Sequence, residues 1–237
     1  MLHLAHTTAN YKGANNNNKH ERLYDMLALS WRQYSYEGFS INQKPIRCVE
    51  TTNDSRGTGL IVWDGAFVLG KFLEKRFGGE GLRDKIVLEL GCGIGLAGLC
   101  AAALDAKSVY LTDLEYALGN TRENVMLNEF AKQTTCIELD WFNPDLSFMD
   151  TAKPDYVLLA DVAWVRELVP PLVQTCHRIL EYCNPQRPVF FLAHQTRSLK
   201  TDKDLFDGFR SIGLKIRPMN SAEIAEGYDG VPLYEIT

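Results

Sequence analysis

Hydrophobic and polar positions change period along this chain. From residue 85 onward, short and almost unbroken apolar runs alternate with longer stretches of helical period. KIVLEL (85–90), SVYLTDL (108–114), TCIELDW (135–141), DYVLLAD (155–161) and PVFFLAHQ (188–195) read as strands, being rich in β-branched and aromatic residues. LAGLCAAALDA, ALGNTRENVMLNEF, VRELVPPLVQTCHRILEYC and KDLFDGFRSIG read as the helices between and after them. In the third of these, Pro170-Pro171 predicts a kink or an early break. LKIRPMN and VPLYEIT predict a closing antiparallel pair. Strands that are apolar throughout imply a sheet covered by helices on both faces.

Upstream the pattern differs. Ala66, Leu69, Phe72, Leu73 and Phe77 recur at helical spacing, and Gly78-Gly79 ends a helix predicted over 63–78. Before it, YSYEGFSINQKPIRCVETT alternates in period two, which predicts strands at 35–41 and 45–52 joined by a turn at 42–44. Residues 1–20 are polar, with a run from Asn15 to Asn18, and read as a disordered arm. The expected fold is therefore α/β: a doubly wound, mostly parallel, seven-stranded Rossmann-like sheet with an N-terminal β-hairpin extension. It occupies a single domain over 21–237, with N-terminal strands in 35–60 and the core in 85–237.

Composition narrows the partners. The 237 residues carry 25 Lys and Arg against 30 Asp and Glu, a net charge of -5. That balance lacks the basic footprint of phosphate neutralisation, so no nucleic acid is expected, and a protein or small molecule is favoured as partner. Cysteines stand at 48, 92, 100, 136, 176 and 183 without a C-x-x-C pair, which speaks for reduced thiols and against a zinc site. No apolar run reaches the length of a membrane span, and no secretory signal is visible in the first twenty residues. The expectation is a cytoplasmic (or nuclear) monomer that binds no metal.

The candidate chemistry begins at Glu89-Leu90-Gly91-Cys92-Gly93-Ile94-Gly95, directly after the first core strand. Open α/β sheets bind ligands at the carboxyl ends of their strands, and glycine lets backbone approach a ligand closely. Gly93-Ile94-Gly95-Leu96-Ala97-Gly98 also satisfies the dinucleotide pattern. Asp113, ending the second strand, suits the ribose hydroxyls of NAD and of S-adenosylmethionine equally. Glu89 separates the two. A buried carboxylate repels a pyrophosphate, whereas S-adenosylmethionine carries a sulfonium, an ammonium and no phosphate. The competing reading of Glu89 is a carboxylate satisfied by backbone N–H groups. Trp63 and Trp141 belong with this site: an indole stacks on adenine, and the Trp63 N–H is a donor for the ligand's carboxylate.

Together, GTGLIVWDGAFVLGKFLE, VLELGCGIGLAGLCAA, LTDLEYALGNTRENVMLN, LDW and LLADVAW resemble the family-16 (methyltransferase-like 21 type) seven-β-strand protein lysine methyltransferases, over about residues 45–237. The resemblance implies a class I S-adenosyl-L-methionine methyltransferase and a protein substrate of chaperone or translation-factor type. It implies that Trp63, Gly91, Cys92, Gly93, Asp113, Trp141, Ala160 and Asp161 line the cofactor, with Leu114 beside Asp113. The family shows D-x-x-Y after the fourth strand, where this chain has Asp161-Val162-Ala163-Trp164. The aromatic wall remains and the hydroxyl is lost. Lysine is the favoured acceptor, and histidine, another amine or an N-terminus stays admissible.

Asp161 is expected to accept a hydrogen bond from the target amine while Trp164 flanks its alkyl stem. His194 is a candidate base or substrate contact, and Arg197 and Tyr228-Asp229 are candidate substrate contacts. A methyltransferase on a small molecule and a non-catalytic cofactor-binding module are the competing functions.

Overall fold

The computed structural model describes residues 33–53 and 55–237. The expected arm (1–20) and the start of the expected domain at residue 21 lie outside the described residues.

Seven strands form one sheet. They are β3 (Ile86–Leu90), β4 (Ser108–Asp113), β5 (Thr134–Glu138), β6 (Tyr156–Ala160), β7 (Val189–Ala193), β8 (Ile216–Pro218) and β9 (Leu233–Ile236). Their order is β5-β4-β3-β6-β7-β9-β8. The first five in that order pair in parallel, and β9 runs antiparallel to both β7 and β8. The chain leaves β3 first towards β4 and later returns to its other side as β6. The ends of β3 are thus the point where the winding reverses and a crevice opens.

Period two along each strand explains the unbroken apolar runs. Val87, Leu158 and Phe191 point to one face, beneath α1 (Asp64–Phe77) and α2 (Leu96–Ala103). Leu88, Val157, Leu159, Phe190 and Leu192 point to the other, beneath α4 (Val169–Tyr182) and α5 (Leu199–Ser211). Every residue of α2 is buried, so the helix is apolar all round. The two prolines stand in the first turn of α4, after a 3-10 turn at Arg166–Leu168. They start the helix and do not kink it, because an N–H missing there has no intrahelical acceptor to lose.

The N-terminal hairpin is shorter than expected. Only β1 (Ser40–Ile41) and β2 (Lys44–Pro45) pair, across a turn in which Asn42 and Gln43 both have positive φ. Beyond Pro45 the chain meets a helix in place of a strand. On α3 (Glu115–Leu127), the Asn124 amide accepts from Val49 N at 2.6 Å and donates to Val49 O at 3.2 Å. Asn128, just past the helix, does the same with Arg47 at 2.9 and 2.6 Å. Asn120 reaches the Thr51 hydroxyl at 3.0 Å. Four helical residues rise about 6 Å and two extended residues about 6.8 Å, so this stripe of asparagines matches every second residue of the segment. The alternation over 45–52 is real, and side chains satisfy its backbone where a strand was expected to.

Candidate functional site

A cavity of about 230 Å³ opens at the carboxyl ends of β3, β4 and β6, where the winding reverses. Its walls include Trp63, Glu89, Gly91, Cys92, Gly93, Asp113, Leu114, Trp141, Ala160, Asp161 and Trp164, so the residues expected to line the cofactor or flank the target amine meet in one place.

One half of the cavity is built on backbone. After β3 the chain turns through Gly91 at φ +64°. A Cβ there would stand 3.0 Å from the Trp141 ring and 3.1 Å from Val162, so space and conformation both demand glycine. The Asp113 carboxylate accepts from Gly93 N and from Leu114 N, both at 2.7 Å, and fixes the glycine turn to the end of β4. Burial raises the Asp113 carboxyl above its ordinary range, and these two N–H groups pull it back. Burial likewise holds the Cys92 thiol far from its thiolate. The Trp141 Nε1–H is buried and, among the described residues, meets no acceptor.

Glu89 is 1% exposed and combines the two readings its position allowed. Its Oε2 accepts from Gly98 N at 2.7 Å, at the start of α2, while the residue also lines the cavity. Burial pushes its carboxyl up to about 8, with the Gly98 N–H opposing the rise and Asp113 adding to it. At neutral pH the free protein therefore holds this carboxyl largely protonated. A cation beside it would favour the charged form expected of it from sequence.

The other half is built from side chains. Asp161 follows β6 at φ +54°, a left-handed conformation that aspartate tolerates better than most residues. Its Oδ2 accepts from Gly65 N at 3.1 Å, at the start of α1, and its Oδ1 accepts from Gln195 N at 2.8 Å. Arg197 is the third donor to the carboxylate, reaching Oδ1 at 3.3 Å, and the Asp161 side chain is left 1% exposed. This differs from the expectation of a carboxylate facing the target amine, because three of its roughly four acceptor directions already serve the protein. The Arg197 guanidinium lies 5.1 Å above the Trp63 ring. The Trp63 Nε1–H donates to Thr58 O at 3.1 Å, so it is not the free donor to a ligand carboxylate that the sequence suggested.

Three other candidates lie elsewhere. His194 is 2% exposed, pairs through Nε2 with Asp202 Oδ1 at 2.8 Å and does not border the cavity. Asp202 also accepts from the Thr196 hydroxyl at 2.7 Å, so the pair clips the segment leading to Arg197. Tyr228 stacks on Tyr34 at 4.8 Å, and neither it nor Asp229 reaches the cavity. Sequence reasoning missed Arg56, Gly57, Thr58, Gly59 and Tyr116, which roof the first half. Gly59 N donates to Tyr116 Oη at 3.0 Å, and Arg56 lies 5.7 Å from the Tyr116 ring. The closely spaced Gly57 and Gly59 were the one available signal.

The donors and walls fit S-adenosyl-L-methionine: apolar faces at Trp141, Leu139 and Val162, an orphan indole N–H, an acid at the end of β4 and the buried carboxyl of Glu89. A family model described as lysine methyltransferase matches residues 40–211. The chain belongs to this lysine methyltransferase family. With that membership comes S-adenosyl-L-methionine as the cofactor. Protein N-lysine methyltransferase METTL21A of Danio rerio is 37% identical over 127 residues, 52% of this chain and 56% of that protein. Protein-lysine N-methyltransferase EFM6 of Saccharomyces cerevisiae is 34% identical over 136 residues, 52% and 54% respectively. The chain thus spans little more than half the length of these relatives. Precorrin-6y C5,15-methyltransferase from Geobacter metallireducens superposes with a TM-score of 0.50 at 14% identity, covering 83% of this chain and 94% of that one, a likeness of fold alone. Among the described residues no helix is long and apolar enough to cross a membrane, and no cluster of His, Cys, Asp or Glu is placed to hold a metal.

Proposed function

We propose that this chain transfers a methyl group from S-adenosyl-L-methionine to the side-chain amine of a lysine in a protein substrate. The observation that carries the reading is the two-part cavity: a backbone-built pocket with Asp113, Glu89 and Trp141, continuous with a wall of Trp63, Asp161 and Trp164. The names of the two relatives, both protein-lysine methyltransferases, support lysine as the acceptor. A chaperone or translation factor is the substrate type the resemblance implies, met by a monomer in the cytoplasm or nucleus.

When bound, the cofactor supplies an electrophilic methyl group on a sulfonium. The residues of this chain align and shelter. Asp113 holds Gly93 and Leu114 in place and keeps acceptor capacity for ribose hydroxyls. Trp141 offers an indole face and an unpaired N–H to the nucleoside end. In the free protein Asp161 joins the start of α1 to the segment 195–197 and so fixes Trp63 and Arg197. Trp164 and Leu168 wall the side where an alkyl stem enters. A lysine ammonium must lose its proton before it attacks. His194, buried against Asp202, is not placed to take that proton.

Calorimetric titration with S-adenosylmethionine, with NADH as comparator, tests the cofactor on wild type and Asp113→Ala. Binding of S-adenosylmethionine alone, weakened about 30-fold or more in the variant, is expected from losing a charged acceptor. Labelled methyl from the cofactor should then appear in lysate protein as methyl-lysine. NADH binding would sink the methyltransferase reading, and label recovered as methyl-histidine or on an N-terminal amine would reassign the acceptor.

A further inference from the structure

Arg197 occupies an unusual place for an arginine. Its side chain is 16% exposed, its guanidinium covers the Trp63 indole at 5.1 Å, and it borders the cavity beside Trp164 and Leu168. Its polar bonds are all long: 3.3 Å to Asp161 Oδ1, 3.3 Å to Gln195 O and 3.4 Å to Gln195 Oε1. Ordinary N–H···O bonds fall at about 2.7–3.2 Å, and charge-assisted ones are shorter still. The same Asp161 binds Gln195 N at 2.8 Å, so the carboxylate is well placed and only the arginine is held loosely.

An indole face beside a buried carboxylate is what a cation seeks. The box would serve an alkylammonium as well as a guanidinium, with apolar walls for its stem at Trp164 and Leu168. Such a group is the target side chain under the function proposed above, on which this inference rests. We propose that Trp63 and Asp161 form the acceptor-cation site, and that Arg197 is its resident occupant, which a lysine or methyl-lysine side chain must displace. Arg197 then sets specificity by competition. A weak or misplaced cation fails to dislodge it, and a side chain delivered by a docked protein succeeds.

The consequence is a reduced apparent affinity for any free cation, since binding counts only the fraction of molecules with the box open. The test titrates the full chain with n-butyltrimethylammonium chloride, a methyl-lysine side-chain analogue, at about 0.15 M salt to suppress bulk electrostatics. Arg197→Met and Arg197→Gln should bind the analogue about tenfold more tightly than wild type, and Arg197→Lys should bind it as weakly as wild type. Arg166→Met makes the same charge change outside the cavity, in an exposed pair with Asp204, and should leave the affinity unchanged. Two variants guard against one failing to fold, and melting curves on each confirm folding. No gain in either folded Arg197 variant, or an equal gain in Arg166→Met, would overturn the proposal. S-adenosylmethionine titrated into the same wild-type sample separates the two readings. Its failure to bind would overturn the proposed function, whereas its binding beside an unchanged analogue affinity would overturn the occupant role alone.

Discussion

The two halves of the cavity are made in different ways. The half at the ends of β3 and β4 is backbone held by one carboxylate, with bonds of 2.7 Å on both oxygens of Asp113 and a turn that only glycine fits. The half at the ends of β6 and β7 also hangs on one carboxylate, Asp161, but its outermost contacts are those of the Arg197 side chain and stretch to 3.3 and 3.4 Å. A rigid first half suits a ligand that is always the same molecule. A looser second half suits an acceptor that arrives on another protein and must enter and leave. Stiffness is placed where the ligand is constant.

The sharpest way to break the first half alone is Gly91→Val. The left-handed backbone and the Trp141 ring at 3.0 Å together oppose any side chain. Strain and overpacking of about 3 kcal/mol should weaken cofactor binding about 100-fold by calorimetry. Butyltrimethylammonium binding to the other half should not change.

Asp161→Asn is the matching cut in the second half. An amide keeps the shape but places a donor against Gly65 N or Gln195 N and loses the charge opposite Arg197. A stability loss of about 1–3 kcal/mol is expected from urea unfolding. Methyl transfer to lysate protein should fall about tenfold or more, while the cofactor dissociation constant moves less than about threefold. Equal damage to cofactor binding would show that the halves are not separable.

A smaller effect sharpens the comparison through pH. Glu89 titrates at about 8 when folded and near the ordinary glutamate range when unfolded. Between those values the native state holds a proton that the unfolded state has released, so stability falls as pH rises. The slope is on the order of 1 kcal/mol per pH unit, absent below the unfolded value and ending above the folded one. Glu89→Gln should lose this part of the slope when urea midpoints at pH 6 and pH 8 are compared with wild type. An identical slope in both proteins would mean that the carboxyl is already ionised in the free enzyme.

The same contrast governs what was legible in sequence. All seven strands of the sheet were readable, most plainly β3, β6 and β7, because helices on both faces make those strands almost apolar throughout, and period and length then leave little choice. The glycine turn, Glu89 and Asp113 were readable since their chemistry lies within one strand–turn–helix unit. In the second half the members were named, Trp63, Ala160, Asp161, Trp164 and Arg197, but not how they join. Asp161 draws its donors from 96 and 34 residues away, at Gly65 and Gln195, and no spacing rule connects them. His194 looked like a base because it ends a strand on the right edge, yet Asp202 eight residues on turns it inward. The N-terminal strands were overdrawn for a related reason: alternation records that a backbone is extended and half covered, not what covers it.

One stripe of α3 has a further consequence for how the cavity is roofed. Tyr116, Asn120, Asn124 and Asn128 follow one another every four residues, and they grip Gly59, Thr51, Val49 and Arg47 in turn. Asn124 also donates to Ile94 O at 3.0 Å, so the stripe is pinned to the glycine turn beneath. Between Arg47 and Thr51 the helix therefore acts as a gauge of fixed pitch. Deleting one residue there would present the wrong backbone groups to every tooth. The loop between Thr51 and Gly59 is tied to its own chain instead, with Thr51 N donating to Leu60 O and Leu60 N to Asn53 Oδ1, each at 3.0 Å. The height of the roof over the cofactor can change by lengthening or shortening that loop, while the depth of the floor stays set by the sheet.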